Sequence, residues 1–242
     1  MGHAFLSSLG MAGGRNYVCR LERSVRNILP VKIPEIQLPE KLPGMILGGC
    51  NLIPHNGLPV YIFEQRYRKM LNKVLDTHRL FFVAEAVGES DDGIALESSG
   101  EYASPIASVG VVRACLRNDD GSSHLFLQGL RRVRILEFDR RAGYPLARIT
   151  SMRTQPGNGQ DNRAARREIE AQVENADGLP GQVLKKLFEG LQATDDVEVW
   201  ADMAGARLLS AGSEQRTFLE MESLTDRIRF LGRSVDRLRN SL

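Results

Sequence analysis

The sequence predicts an α+β protein: a β-rich N-terminal half with one inserted helix, followed by a C-terminal α-helical bundle. Three observations predict it. From Gly44 to Met152, apolar residues come in short runs of strand composition broken by Gly, Pro, Asn and Asp, with one interruption at helical spacing. Thr154-Gln155-Pro156-Gly157-Asn158-Gly159-Gln160-Asp161 has the glycine, proline and amide content of a linker. Beyond it the apolar spacing is helical. The expected organisation is an extension over 1–29, a β subdomain over 30–153, a linker over 154–161 and a helical subdomain over 162–242.

Arg15 to Leu29 places Val18, Leu21, Val25 and Ile28 at helical spacing, so the extension reads either as a short basic helix or as a poorly ordered tail. Pro30, Pro34, Pro39 and Pro43 then impose an extended lead-in, because proline disfavours the α conformation of the residue before it. Gly44 to Ile53 reads as one or two strands kinked at Gly48 and Gly49, and Pro54-His55-Asn56-Gly57 as a turn. Pro59 heads the strand Val60-Tyr61-Ile62-Phe63, and a helix starts at Glu64, whose carboxylate complements the helix dipole and can reach Arg66 or Arg68. Tyr67, Met70, Leu71, Val74 and Leu75 form its apolar stripe, with Arg66, Lys69, Asn72 and Lys73 facing away.

Leu80 to Ala86 is an apolar strand, and Gly88 to Gly100, with Asp91 and Asp92, is expected to be an acidic solvated loop. Val109 to Leu116 and His124 to Gln128 form a hairpin about Asn118-Asp119-Asp120-Gly121. Gly129 is expected to supply a bulge or a positive φ at the start of the strand Leu130 to Phe138. In that strand Arg132 and Arg134 alternate with Val133 and Ile135, so they are placed outward in a basic stripe extended by Arg140, Arg141 and Arg148. Tyr144 to Met152 is the last strand.

In the second half, helices are expected over Asn162 to Asn175, Leu179 to Ala193, a segment around Trp200-Ala201-Asp202-Met203-Ala204 capped by Asp195 or Asp196, a segment opened by Ser213-Glu214, and Leu224 to Leu238. The second of these is read as burying Val183, Leu184, Leu187, Phe188 and Leu191, and the last as burying Leu224, Ile228, Leu231, Val235 and Leu238.

Composition excludes several function classes. A net charge of +2 gives no global drive toward nucleic acid or anionic membrane, and no run approaches the roughly 18 apolar residues of a membrane span. Cys19, Cys50 and Cys115 are widely spaced without a CxxC, which points away from disulfides and zinc and toward a reducing cytoplasm. His3, His55, His78 and His124 are scattered, so no metal or other cofactor is expected. The absence of any Gly-Lys dipeptide rules out a G-x-x-x-x-G-K-[ST] phosphate loop within this sequence.

From Leu42 to Met70 the run LPGMILGGCNLIPHNGLPVYIFEQRYRKM resembles, without a gap, the opening of the N-terminal substrate-recognition domain of Lon proteases. Met45-Ile46-Leu47 replaces the family's usual Phe-Pro-Leu, and Pro54-His55 its Pro-Gly. The likeness returns in the glycine-hydrophobe-basic-arginine strand at Gly129, in Ala201-Asp202, in Glu214-Gln215 with Phe218-Leu219-Glu220, and in Arg227-Ile228-Arg229-Phe230-Leu231. It covers about residues 30 to 240.

The resemblance implies a PUA-like β-barrel ahead of the helical bundle. It implies a non-catalytic domain, without the ATPase and Ser-Lys peptidase of Lon, that binds unfolded or degron-bearing protein segments as an adaptor or regulator for a separate ATP-dependent protease. Tyr61, Phe63, Glu64, Arg66, Tyr67 and Gly129 are the candidate peptide-binding or architectural residues, with Arg132 and Arg134 for acidic ligands. The alternative is an RNA-binding module using the Arg131 to Arg134 strand. Against it, the stripe lacks interleaved aromatics for base stacking and is interrupted by Glu137 and Asp139.

Overall fold

In the computed structural model, residues 36–89, 93–96, 101–139 and 143–240 are described, and among them lie seven strands and six helices. The expected extension over 1–29, the loop aspartates Asp91 and Asp92, and Arg140 and Arg141 lie outside the described residues. The strands are β1 (Lys41–Gly48), β2 (Gly57–Ile62), β3 (Leu80–Val87), β4 (Ile94–Leu96), β5 (Glu101–Arg117), β6 (Ser123–Phe138) and β7 (Leu146–Ser151), with α1 (Gln65–Leu75) between β2 and β3. They form one mixed sheet in the order β2-β6-β7-β1-β3-β5-β4, and β5 also pairs with β6. The pairings therefore run from β6 through β7, β1, β3 and β5 back to β6. Only β1 and β3 are parallel, joined by the crossover that carries β2 and α1.

Two clusters fill the β half. Val60 and Ile62 of β2 and Leu125 and Leu127 of β6 bury themselves against Tyr67, Met70, Leu71 and Val74 of α1, as the 3.6-residue stripe dictates. A second cluster gathers Ile46, Phe82, Val109, Val133 and Ile149. The β5–β6 ladder shifts register at Val109/Gly110, opposite Gly129. Gly129 does not adopt a positive φ. Its requirement is space: a Cβ there would stand 2.5 Å from the Ile53 carbonyl oxygen, where the incoming chain crosses the strand.

The helical half comprises α2 (Gly159–Glu174), α3 (Gly178–Phe188), a 3-10 turn at Leu191–Ala193, α4 (Val197–Leu208), α5 (Ser213–Glu220) and α6 (Leu224–Arg239). Trp200, Phe218, Ile228 and Leu231 are at the centre of its core. Asp196 caps α4, accepting from the amides of Glu198 and Val199, and Ser223 caps α6.

Several expectations need correction. Gly88 to Gly100 is not all loop, because Ile94–Leu96 pairs with Glu101–Ala103 as β4. β5 begins at Glu101, eight residues before the expected start, and β1 begins at Lys41 and takes in Pro43. The linker is partly structured: Gln155 exchanges backbone hydrogen bonds with Glu222 and Leu224, and Asn158 already caps α2. α3 ends at Phe188, and Val183 is exposed on it, because Gly181, Leu184 and Phe188, with Leu187 partly buried beside them, face the core. Leu238 is half-buried, and α5 is opened by Gly212 at φ 88° with no side-chain cap from Ser213.

Candidate functional site

The tip of the β5–β6 hairpin and strand β2 build one surface. Strand register sets Leu116 opposite His124 and His124 opposite Tyr61, and in the next row Ala114 opposite Phe126 and Phe126 opposite Pro59. Directly opposed residues share a face. Here the reverse face is taken by α1, so this row is left to solvent, with Tyr61 40%, Phe63 47% and Leu116 67% exposed. The Tyr61 ring lies 5.7 Å from Phe63, stacked, and 4.7 Å from His124. A contiguous patch of this kind marks an interaction site more often than scattered exposed residues do.

Strand β2 borders the face and pairs only with β6 among the described residues. The Asn56 carbonyl accepts from Gly129 N–H at 2.8 Å. Antiparallel alternation then aims the peptide groups of Leu58, Val60 and Ile62 at β6 and those of Gly57, Pro59 and Tyr61 at the open edge. Pro59 has no N–H to offer there, a placement that blunts an edge against strand addition.

Charged groups flank the face at both ends. Beside Phe63, Arg66 donates to Glu64 at 3.0 Å and lies over the Tyr67 ring at 4.6 Å. Tyr67 itself is buried, its hydroxyl bonded to the Ile46 backbone at 3.2 Å, so it anchors α1 to β1. At the opposite end β5 bulges at Val112/Ala114. There Arg113 donates to the Gln128 side-chain oxygen at 2.6 Å, and Arg79 to the Val112 carbonyl at 3.0 Å. Gln128 continues the outward row of His124 and Phe126, which puts the Arg113 guanidinium on the same face.

Arg132 and Arg134 do not join this face. The expected outward position of Arg132 is corrected by the helical half, which covers β6 at that point and leaves Arg132 only 3% exposed. Its guanidinium donates to the carbonyls of Leu219 and Met221 at the end of α5, at 2.9 and 2.5 Å, and to the Thr154 hydroxyl at 2.8 Å. Burial, together with Arg227 nearby, pulls it down to about 10, so it stays charged at neutral pH. Arg227 is fully buried and donates to Asp202 at 2.5 Å, to Glu198 at 3.0 Å and to Thr154 at 3.1 Å. Burial pushes the Asp202 carboxyl up to about 7 against the pull of Arg227. His55 stands 3.9 Å from Asp202, and burial holds its imidazole below the ordinary value. Arg134 is exposed and pairs with Glu222 at 3.5 Å, and Arg148 pairs with Glu137 at 3.0 Å. Among the described residues the basic stripe is therefore a buried joint and two surface ion pairs.

Among the described residues no group of three or more His, Cys, Asp or Glu is placed to hold a metal ion, and no helix is long and apolar enough to cross a membrane. Neither Cys50 nor Cys115 is joined in a disulfide among the described residues.

Residues 41–237 match the ATP-dependent protease La (LON) substrate-binding domain. The chain belongs to this family. A Lon protease of Desulfosudis oleivorans is 23% identical over 212 residues, which is 85% of this chain and 26% of that protein, so the chain spans about a quarter of the relative's length. Among solved structures, the N-terminal domain of Mycobacterium avium complex Lon protease has a TM-score of 0.63 at 14% identity, covering 81% of this chain and 98% of that one. A Lon N-terminal domain protein from Xanthomonas campestris has a TM-score of 0.52 at 15% identity, covering 78% and 95%.

Within this Lon-type domain, the Lon-like motif residues divide by role. Tyr61 and Phe63 reach the open face, while Tyr67, Asp202 and Arg227 hold the architecture together. His124, Leu116, Phe126 and Arg113 escaped sequence reasoning. The hairpin turn was the available signal, since fixing its register places Leu116 opposite His124.

Proposed function

We propose that this Lon-type domain binds exposed, extended segments of other proteins on the Tyr61–Phe63–His124–Leu116 face and performs no chemistry itself. The observation that carries the reading is this uncovered aromatic and aliphatic row on a domain of the LON substrate-binding family. The circuit of strand pairings supports treating the β half as a PUA-like barrel that displays the row. In a cell the domain acts as an adaptor or regulator that brings bound proteins to a separate ATP-dependent protease. Recognition rests on apolar burial, worth about 25 cal/mol per Å² of surface removed from water, so it tolerates many sequences and persists in salt.

The test is fluorescence anisotropy of a labelled unfolded polypeptide and a labelled single-stranded RNA at low and at physiological salt. Salt-tolerant polypeptide binding that is weakened about tenfold in Tyr61→Ser and in Leu116→Ser is the expected result. RNA binding alone, or polypeptide binding indifferent to both substitutions, would overturn the assignment.

A further inference from the structure

The two arginines at the β5 bulge have no carboxylate within ion-pair distance among the described residues. Arg113 is exposed and bonds an amide oxygen, and Arg79 is exposed and bonds a backbone carbonyl. Arg66, Arg134 and Arg148 differ in this respect. Arg66 meets Glu64, Arg134 meets Glu222 and Arg148 meets Glu137. Gln128, which receives Arg113, is itself only 5% exposed, so the guanidinium is held on the outer face beside Phe126. An apolar surface thus ends at a fixed positive charge whose existing partners are neutral. A carboxylate on a bound segment can approach the guanidinium's other donors without breaking a salt bridge or the bond to Gln128, so the cost is the desolvation of the two charged groups alone.

Resting on the reading of this face as a protein-binding surface, we propose that it prefers segments in which apolar residues are followed by an acidic side chain, received by Arg113 with Arg79 beside it. The apolar residues occupy the row from Phe63 and Tyr61 through His124 and Leu116, and the acid lies toward the bulge. Because Pro59 faces the free edge of β2, selection comes through side chains and not through an added strand.

The test uses three short fluorescein-labelled peptides, amidated at the C-terminus, that share one apolar core and carry Asp, Asn or Lys at the same flanking position. At low salt the Asp peptide should bind about tenfold more tightly than the Asn peptide, with Lys weakest, and the gap should shrink as salt rises. Arg113→Gln should abolish the difference between Asp and Asn. Equal binding of all three peptides, or a preference for Asp that survives Arg113→Gln, would overturn the acidic preference and leave the apolar reading standing. Failure of all three to bind would remove both. Displacement of the Asp peptide by single-stranded RNA through Arg113 would also overturn it, in favour of a nucleic-acid ligand.

Discussion

Arginine does opposite work at two places along strand β6. At the helical junction Arg132 and Arg227 are buried, and carbonyls, Thr154, Asp202 and Glu198 accept from their terminal nitrogens. At the hairpin end Arg113 and Arg79 are exposed with neutral partners beside an uncovered aromatic row. What separates joint from site is the partner and not the residue type. A buried charge without full compensation is strongly unfavourable, so the junction can persist only with its acceptors in place. A surface guanidinium on an amide keeps most of its capacity to meet an anion.

The largest effect should come from breaking the junction. Arg227→Met leaves Asp202 buried without its counter-charge, and urea unfolding should show a loss of about 3 to 5 kcal/mol. pH sharpens the point. The folded Asp202 carboxyl titrates at about 7, above its unfolded value of 3.8, so its contribution to stability is fully present below the unfolded value and is lost as pH rises through the folded one. The loss in Arg227→Met should therefore be larger at pH 8 than at pH 5, where the carboxyl takes up a proton. His55 runs the other way, since its depressed value withdraws stability as pH falls below its ordinary range. Asp202→Asn isolates the aspartate: the wild-type curve should fall relative to the variant between pH 5 and pH 8, and parallel curves would refute the assignment.

Arg132→Gln should cost less, about 1.5 to 3 kcal/mol, the value of hydrogen bonds to a charged group. It is also the sharper comparison, because it should weaken the fold without changing the affinity of the folded fraction for polypeptide. A loss of affinity at unchanged stability would return Arg132 to the binding surface.

This arginine shows where sequence reasoning stops. Alternation along Leu130 to Phe138 correctly opposes Arg132 to Val133, but period-two spacing says which face a side chain takes and nothing about what covers that face. The covering element is the end of α5, almost ninety residues later. Val183 errs in the opposite sense, since helical spacing marks it apolar but no element packs over it. β4 was hidden for a related reason, because three residues become a strand only through pairing with Glu101–Ala103. Local signals fared better where the physics is local: the stripe of α1, the turn at Asn118–Gly121 and the cap at Asp196. The site lay between these cases. Tyr61 and Phe63 were legible as a family signature, but their exposure, and the company of His124 and Leu116, depend on three strands meeting in register.

Substitutions on the open face should reverse the pattern seen at the junction. Tyr61→Ser and Leu116→Ser should each change stability by no more than about 0.5 kcal/mol, since neither side chain is buried. Each should weaken polypeptide binding by about tenfold, or about 1.4 kcal/mol, measured by anisotropy. A large loss of stability would make the row part of the core and not a site.

The smallest thermodynamic effect, and the one that defines how the face is used, belongs to Pro59. Its ring occupies the free edge of β2, where Gly57 and Tyr61 also direct their peptide groups. Pro59→Val supplies the missing N–H without touching the core, so stability should stay within about 0.5 kcal/mol. The edge, however, becomes a continuous template next to an apolar face, and sedimentation velocity should detect more self-association than in the wild type. If the variant associates no more than the wild type, the proline is not what guards the edge, and strand addition re-enters as a way for ligands to bind. If it associates more, the proline is what keeps the edge closed, as selection of ligands through side chains on the neighbouring face requires.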